Sequence, residues 1–230
     1  MADELAAPDT PDELYRTRGG DVSPSRPLLQ GDVFRNVEIP GVGDEPGLGI
    51  VLQHACSMRN GSRLREKLLM ARCRPNDPIP LDRWNGYYSL MPLPELIPGN
   101  PSFNWAVFDL CGLVLSSRLS RADRIACLDD LGICLLQQRY AHYTTRVAIN
   151  IGKFMEVSAP VFAEVELMET WVEASTLGPE SAEDEFHAFL TQVGSGGRTL
   201  QGDLKEPARR AAVRRITLGE MYRRYPPSPF

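Results

Sequence analysis

His54 and Cys56 are reactive side chains separated by one residue, in a segment (residues 50–56) whose apolar positions alternate. This alternation predicts a strand that carries both side chains on one face. An imidazole beside a thiol can activate a nucleophile or supply two metal ligands. A zinc site needs about four ligands, and the remaining Cys and His residues have no ligand spacing. The structural alternative is a buried thiol beside a hydrogen-bonded histidine. A metal-dependent enzyme centred on this pair is kept as one hypothesis.

Arginines near the ends of the predicted strands form a second candidate site. Phosphodiester cleavage without a metal needs a general base, a general acid and cations that stabilise the phosphorane. Asp32 or His54 could be the base, while guanidinium groups clamp the phosphate. Solvated strand ends would look the same in the sequence, so this pattern is also compatible with no chemistry. The candidate phosphate-binding residues of this region are Arg35, Arg59, Arg72, Arg74 and Arg118.

The C-terminal region carries a second group of arginines, interleaved with Tyr222 and Tyr225. Paired arginines one helical turn apart can follow a phosphate backbone, and a tyrosine can stack on a base. They could equally pair with the acidic N-terminal residues or with the acidic segment 180–185. The candidate nucleic-acid-binding residues here are Arg209, Arg210, Arg214 and Arg215.

The composition is that of an ordinary globular protein, with 230 residues, 43% of them hydrophobic, and a formal net charge of −5. No stretch approaches the roughly 20 apolar residues of a membrane span. The acidic N-terminus is unlike a secretory signal. We therefore expect a cytoplasmic protein with no membrane partner. Five cysteines without a CxxC pair favour reduced thiols. No Walker A motif, dinucleotide fingerprint, nucleophile elbow or paired zinc motif is present, so no cofactor and no metal are expected.

Short strands separated by Gly- and Pro-rich loops predict a compact barrel, after which the hydrophobic period becomes helical. Asp129 is a suitable N-cap for the first helix. A second helix is predicted over Pro160–Ala174, and a third follows it. A capping-box pattern, Thr217-x-x-Glu220, predicts the start of the last helix.

Three segments between about residues 29 and 147 resemble the PemK/MazF family of toxin-type β-barrels. Residues 30–34 are similar to that family's Gly-Asp start of the first strand, and residues 49–52 stand where it has its second. The run 104–119 is similar to the stretch before the family's terminal helix. Members that cut RNA have an arginine before the second strand and a threonine or serine ending the third. This chain has Leu48-Gly49 and Cys73-Arg74-Pro75 there.

The fold class is thus predicted as α+β, a small SH3-like or PemK-like β-barrel followed by a helical C-terminal region. The expected domains are a flexible leader over residues 1–27, the barrel with its terminal helix over 28–148, and the helical region over 149–230. The leader has too few large apolar groups to offset its ordering entropy. The resemblance also implies a dimer formed through the barrel.

Two functions are weighed from these patterns. The first is a non-catalytic interaction or regulatory protein on a toxin-like barrel, acting in a defence or regulatory assembly with a protein partner or a second copy. Its motivation is the additional region of about 80 residues that a small toxin barrel does not need. The alternative is a toxin-like, metal-independent endoribonuclease that binds RNA or DNA. Asp32 or His54 would be its base.

Overall fold

The computed structural model describes residues 4–43, 45–99, 103–194 and 196–226, with strands before residue 129 and the long helices after it. Its strands among these residues are β1 (Tyr15–Arg18), β2 (Asp32–Val37), β3 (Gly47–Val51), β4 (Arg59–Asn60), β5 (Arg63–Leu64), β6 (Lys67–Asn76), β7 (Leu90–Leu93), β8 (Phe103–Leu115) and β9 (Arg124–Leu128). Its α-helices are α1 (Ala55–Met58), α2 (Asp130–Thr145), α3 (Ile151–Ala174), α4 (Pro179–Thr191), α5 (Leu200–Leu204) and α6 (Pro207–Arg224).

Seven of the described strands form one curled antiparallel sheet, a half-barrel, in the order β1-β9-β2-β3-β6-β8-β7. Strands β4 and β5 form a separate two-stranded ribbon. The longest pairing joins β6 and β8, and it is interrupted between Ala71 and Arg72 by a shift in register. A bulge of this kind bends a strand and increases its twist, which helps the sheet to curl. The mixed α/β class with C-terminal helices is therefore confirmed.

The curled sheet encloses an apolar cluster that includes Phe34, Val51, Met70 and Val114. These side chains come from β2, β3, β6 and β8, so the cluster ties together strands that are far apart in sequence. Burying a side chain of this size contributes about 1.5–3 kcal/mol each relative to exposure. The burial fixes which face of each strand points inward, because a register slip of one residue would move these apolar side chains to the solvent face.

Helix α2 begins where the sequence predicts, at Asp129. The Asp129 carboxylate accepts a hydrogen bond of 2.6 Å from the N–H of Gly132, which is the expected capping interaction. A Cβ on Gly132 would lie 2.3 Å from the carbonyl oxygen of Leu14. Glycine at this position therefore lets α2 approach the backbone that precedes β1.

The described part of the expected flexible leader contains ordered structure. Strand β1 pairs with β9, and Leu14 and Tyr15 are buried. The Tyr15 hydroxyl donates to the carbonyl oxygen of Pro94 at 2.9 Å, and the N–H of Ala6 donates to Gln138 at 2.8 Å. The composition of this segment does not indicate its order, because the order depends on pairing with the edge of the sheet. A few apolar groups and the backbone hydrogen bonds to that edge are enough to hold the segment.

The expected strand through Cys56 is wrong beyond Val51. Strand β3 ends there, and the chain turns into the single-turn helix α1. The side-chain amide of Gln53 donates to the carbonyl oxygen of Ser57 at 2.9 Å. The N–H of Ser57 donates to the carbonyl oxygen of His54 at 2.8 Å. The N–H groups of Leu52 and Gln53 still donate to the carbonyl oxygen of Leu69 in β6, and the local bonds then turn the chain away from the sheet.

Two helix boundaries also differ from the prediction. Helix α3 contains Pro160 and begins nine residues before it, where Asn150 accepts a hydrogen bond from the N–H of Gly152 at 2.9 Å. Helix α6 continues through Thr217, which is buried, so the Thr217-x-x-Glu220 pattern is not a helix start. Asn150 directly precedes α3, and Pro207 is the first residue of α6. Both residue types are common at helix N-termini.

The chain divides into two compact units. Unit 1 comprises Leu28–Met58, Leu64–Val157 and the described residues before Ser23, and unit 2 comprises Ser23–Pro27, Arg59–Arg63 and the described residues from Ser158 onward. Unit 2 has its own apolar core around Trp171 and Phe186, whose ring centroids lie 5.8 Å apart. Within the part of the chain that the structure describes, no helix is long and apolar enough to cross a bilayer.

Candidate functional site

Asp32 begins β2 and forms a closed ion pair with Arg124 at the start of β9. The two side chains are each 1% exposed, and Oδ2 of Asp32 lies 2.9 Å from Nη1 of Arg124. The same carboxylate oxygen accepts the N–H of Leu29 at 3.0 Å. A buried carboxylate held by a guanidinium and a backbone donor has a structural role, because a substrate proton cannot reach it.

His54 lies outside this pair, on the exposed turn that precedes α1. Its Nδ1 accepts the N–H of Cys56 at 3.2 Å. Desolvation by the surrounding turn lowers the pKa of the imidazole below its ordinary value. Cys56 is an exposed free thiol, and the described residues hold no group of three or more Cys, His, Asp and Glu side chains placed to bind a metal. His54 is therefore an accessible imidazole. Among the described residues, no hydrogen bond connects it to Asp32.

Arg72 acts as a cross-link inside unit 1. It is 7% exposed, and it donates to the carbonyl oxygens of Val37 at 3.0 Å and Glu45 at 3.2 Å. A Cβ on Gly47 would lie 2.4 Å from Nη1 of Arg72, so the guanidinium occupies the space that glycine leaves empty. Arg72 thus holds the loop between β2 and β3 against the sheet, and its charge is directed at carbonyl groups.

Arg74, two residues further along β6, differs from Arg72. It is exposed, and it has no ion pair among the described residues. Its register partner on β8 is Trp105, whose ring lies 6.1 Å from that of Tyr87. An exposed guanidinium beside two aromatic rings is an arrangement that can stack on a nucleic-acid base or a protein side chain.

The other candidate arginines of the strand region are paired within the chain. Arg35 binds Asp123 at 3.0 Å and Arg118 binds Glu38 at 3.1 Å. In unit 2, Arg59 binds Glu183 at 3.0 Å and also donates to the carbonyl oxygen of Ser62 at 2.7 Å. Arg35 and Arg124 line one cleft, whereas the structure does not gather the five candidates into a single clamp.

The basic C-terminal residues are arranged along α6, and most of them face carboxylates. Arg209 binds Asp203 at 3.1 Å, and Arg214 binds Glu166 at 2.8 Å. Arg210 donates to the carbonyl oxygen of Leu204 at 2.8 Å. Arg215 is exposed and has no ion pair among the residues described. The alternative weighed from the sequence, pairing within the chain, is the arrangement found for most of this group.

Two features were missed in the sequence. Arg124 follows a polar run and gives no local sign of pairing with a carboxylate 92 residues away. An aromatic surface also forms on unit 1 from the loop before β7, strand β8 and helix α2, and it consists of Tyr87, Tyr88, Trp105, Tyr140, His142 and Tyr143. The rings of Tyr88 and His142 lie 5.0 Å apart, and Tyr143 donates to Asp109 at 2.5 Å. The aromatic residues are visible in the sequence, but only the topology brings them together.

Comparison with protein-family models and with curated proteins found no match. The site must therefore be interpreted from its own geometry.

Proposed function

We propose that this chain is a non-catalytic interaction protein built on a barrel of the PemK/MazF type, working within a defence or regulatory assembly. The observation that carries the proposal is the closed Asp32–Arg124 pair, which removes Asp32, one of the two candidate bases, from any substrate. Breaking such a pair leaves an uncompensated buried charge and costs about 3–5 kcal/mol. The carboxylate is thus retained for the fold.

The family part of the proposal rests on the sequence resemblance. The segments that resemble the family lie in or beside β2, β3 and β8, and β3 pairs with β2 on one side and with β6 on the other. The positions where RNA-cutting members place their catalytic arginine and threonine are Leu48-Gly49 and Cys73-Arg74 in this chain. A similar fold hosts different functions, so the site decides, and here the site lacks a nuclease constellation.

The aromatic surface of unit 1 is the surface that we assign to the partner, and a second copy of this chain is the occupant that the family resemblance favours. Tyrosine and tryptophan are enriched where protein interfaces are strongest. Tyr88 is 46% exposed, and its ring lies 5.0 Å from that of His142. Because Trp105 is held by β8 and Tyr140, His142 and Tyr143 by α2, these rings lose little conformational entropy when a partner covers them.

Sedimentation velocity over a range of concentrations tests this assignment. Tyr88→Glu places a charge on the aromatic surface, and Tyr222→Glu is the matched control because Tyr222 is an exposed tyrosine of α6. We expect concentration-dependent dimerisation of the wild type, a dissociation constant raised about ten-fold or more by Tyr88→Glu, and no change for the control. A wild type that stays monomeric throughout would contradict self-association through this surface.

Nucleic-acid binding is the second candidate function, and Arg74 is the observation that favours it. This exposed arginine lies next to Trp105 and is not neutralised by a carboxylate among the described residues. Removing one phosphate contact should reduce the salt dependence of binding by about one unit of slope. Fluorescence anisotropy of labelled single-stranded RNA across a salt series measures this slope. Nucleic-acid binding through Arg74 predicts a smaller slope for Arg74→Ala than for wild type.

A further inference from the structure

A cleft of about 440 Å³ opens in unit 1 beside the ends of several strands. Its walls come from the turn after β1, from β2, β3 and β9, and from the loop after β7. Pockets that hold small ligands usually measure about 300–1,000 Å³. A Cβ built on Gly20, which lines the cleft, meets no atom within 4 Å, so this wall has room.

The charged side chains that line the cleft, among the residues described, are two arginines. Arg124 is 4% exposed and is held by Asp32, whereas Arg35 is half-exposed and is held through Nε by Asp123. Neither of these carboxylates is part of the cleft lining. Nη1 of Arg35 has no hydrogen-bond partner among the described residues. The cleft therefore presents the Nη1 donor of Arg35, whereas the Arg124 guanidinium is closed against Asp32. An oxyanion is the natural complement of the Arg35 guanidinium.

The rest of the lining is mainly apolar. Leu48 of β3 and Ile125 of β9 stand with Leu96, Ile97 and Pro98 of the loop after β7. Ile97 is 40% exposed, so part of this apolar surface remains in contact with water. A pocket with an apolar wall and a few convergent polar groups is the usual form of a small-molecule site.

We propose that this cleft binds a small molecule that carries an oxyanion, a carboxylate or a phosphate, on a compact apolar body. Arg35 binds the oxyanion, while Arg124, closed against Asp32, forms part of the cleft wall. Leu48, Ile97 and Ile125 cover the apolar body. This inference goes beyond the proposed interaction role, because it concerns a different ligand class and a surface separate from the aromatic one.

The test is an NMR titration of the full chain, in which the arginine Nε–H resonances of Arg35 and Arg124 and the amide of Gly20 are followed. The probes are hexanoate and hexyl phosphate, with inorganic phosphate, hexylammonium and 1-hexanol for comparison. We expect saturable shifts from hexanoate and hexyl phosphate, and the ratio of their affinities distinguishes a carboxylate from a phosphate ligand. The other three probes should bind at least about ten-fold more weakly. Hexylammonium or inorganic phosphate binding as tightly as hexanoate would overturn the proposal, as would the absence of saturable shifts from every probe.

Two variants locate the binding site. Arg35→Gln removes the charge of a side chain that is 56% exposed, so the fold should be kept. Arg65→Gln is the matched control, with the same charge change at an exposed arginine outside the cleft. We expect Arg35→Gln to weaken hexanoate binding about ten-fold and Arg65→Gln to leave it unchanged. Equal affinity of Arg35→Gln and wild type would overturn the assignment, whatever the result of the sedimentation test at Tyr88.

Discussion

The buried arginines of unit 1 have a different role from the arginines of helix α6 in unit 2. In unit 1, Arg72, Arg124 and Arg139 are at most 7% exposed and bind backbone carbonyls or a buried carboxylate. In α6, the side chains of Arg209 and Arg214 are about half exposed and bind carboxylates in contact with water. The same residue type is a structural cross-link in the first region and a solvated surface charge in the second.

This difference teaches that the number of arginines near a strand end says little about phosphate binding. A buried guanidinium must have its hydrogen bonds made inside the protein, since leaving them unmade is costly. A surface ion pair contributes only about 0–1 kcal/mol and can exchange partners. Substitutions of the buried arginines of unit 1 should therefore affect stability far more than substitutions of the arginines of α6.

Arg139→Ala should give the largest effect. Arg139 is fully buried in α2 and donates to the carbonyl oxygens of Trp84 at 2.9 Å, Tyr87 at 3.0 Å and Ala6 at 2.8 Å. Burial lowers the pKa of this guanidinium to about 10. The loss of three hydrogen bonds from the guanidinium, together with a cavity, should cost about 4–6 kcal/mol of unfolding free energy. Urea denaturation measures this, and a loss below about 1 kcal/mol would show that the cross-link is dispensable.

Asp32→Asn should have the next largest effect, because it removes the charge that compensates Arg124. We expect a loss of about 3 kcal/mol in unfolding free energy. Replacing both partners with apolar residues, Asp32→Leu with Arg124→Met, should cost less than Asp32→Asn alone, since no unpaired charge remains. Urea denaturation of wild type, Asp32→Asn and the double variant provides the comparison. An Asp32→Asn protein as stable as wild type would contradict a closed structural pair.

Gly47→Ala should have an intermediate effect. The added Cβ must displace the Arg72 guanidinium, which then loses its bonds to Val37 and Glu45. The expected loss is about 1–2 kcal/mol, measured as a shift in the denaturation midpoint. Gly86→Ala is the matched control, because a Cβ there meets no atom within 4 Å. Equal losses for both variants would mean that the guanidinium does not need the space at Gly47.

Glu220→Gln in α6 should have the smallest effect, and that effect should depend on pH. Hydrogen bonds from Arg223 and Arg224 lower the pKa of Glu220 to about 2. Because the folded-state pKa lies below the ordinary value, the unfolded chain binds the proton more readily, so the stabilisation is present above about pH 4.5 and is lost as the pH falls through 2. The difference in melting temperature between wild type and Glu220→Gln should therefore shrink on acidification. A difference that stays constant from pH 6 to 2 would exclude this linkage.

Much of the fold was predictable, because strand β2 and the Asp129 cap are signalled by neighbouring residues. The site was not, since its decisive contact joins Asp32 to Arg124 across 92 residues, and spacing carries no sign of it. The His54–Cys56 alternation was misleading because Gln53 and Ser57 close a local turn. Pro92 lies inside β7, at the sheet edge where a missing N–H is tolerated.

The central claim is that the candidate catalytic and clamp residues do not form a nuclease site, and RNA cleavage tests it most directly. A labelled, mixed-sequence single-stranded RNA is incubated with the purified chain, with and without EDTA, and the products are resolved on a gel. We expect intact RNA under both conditions, for wild type and for His54→Ala alike. Cleavage by wild type that survives EDTA and is lost in His54→Ala would contradict the claim and establish a metal-independent nuclease.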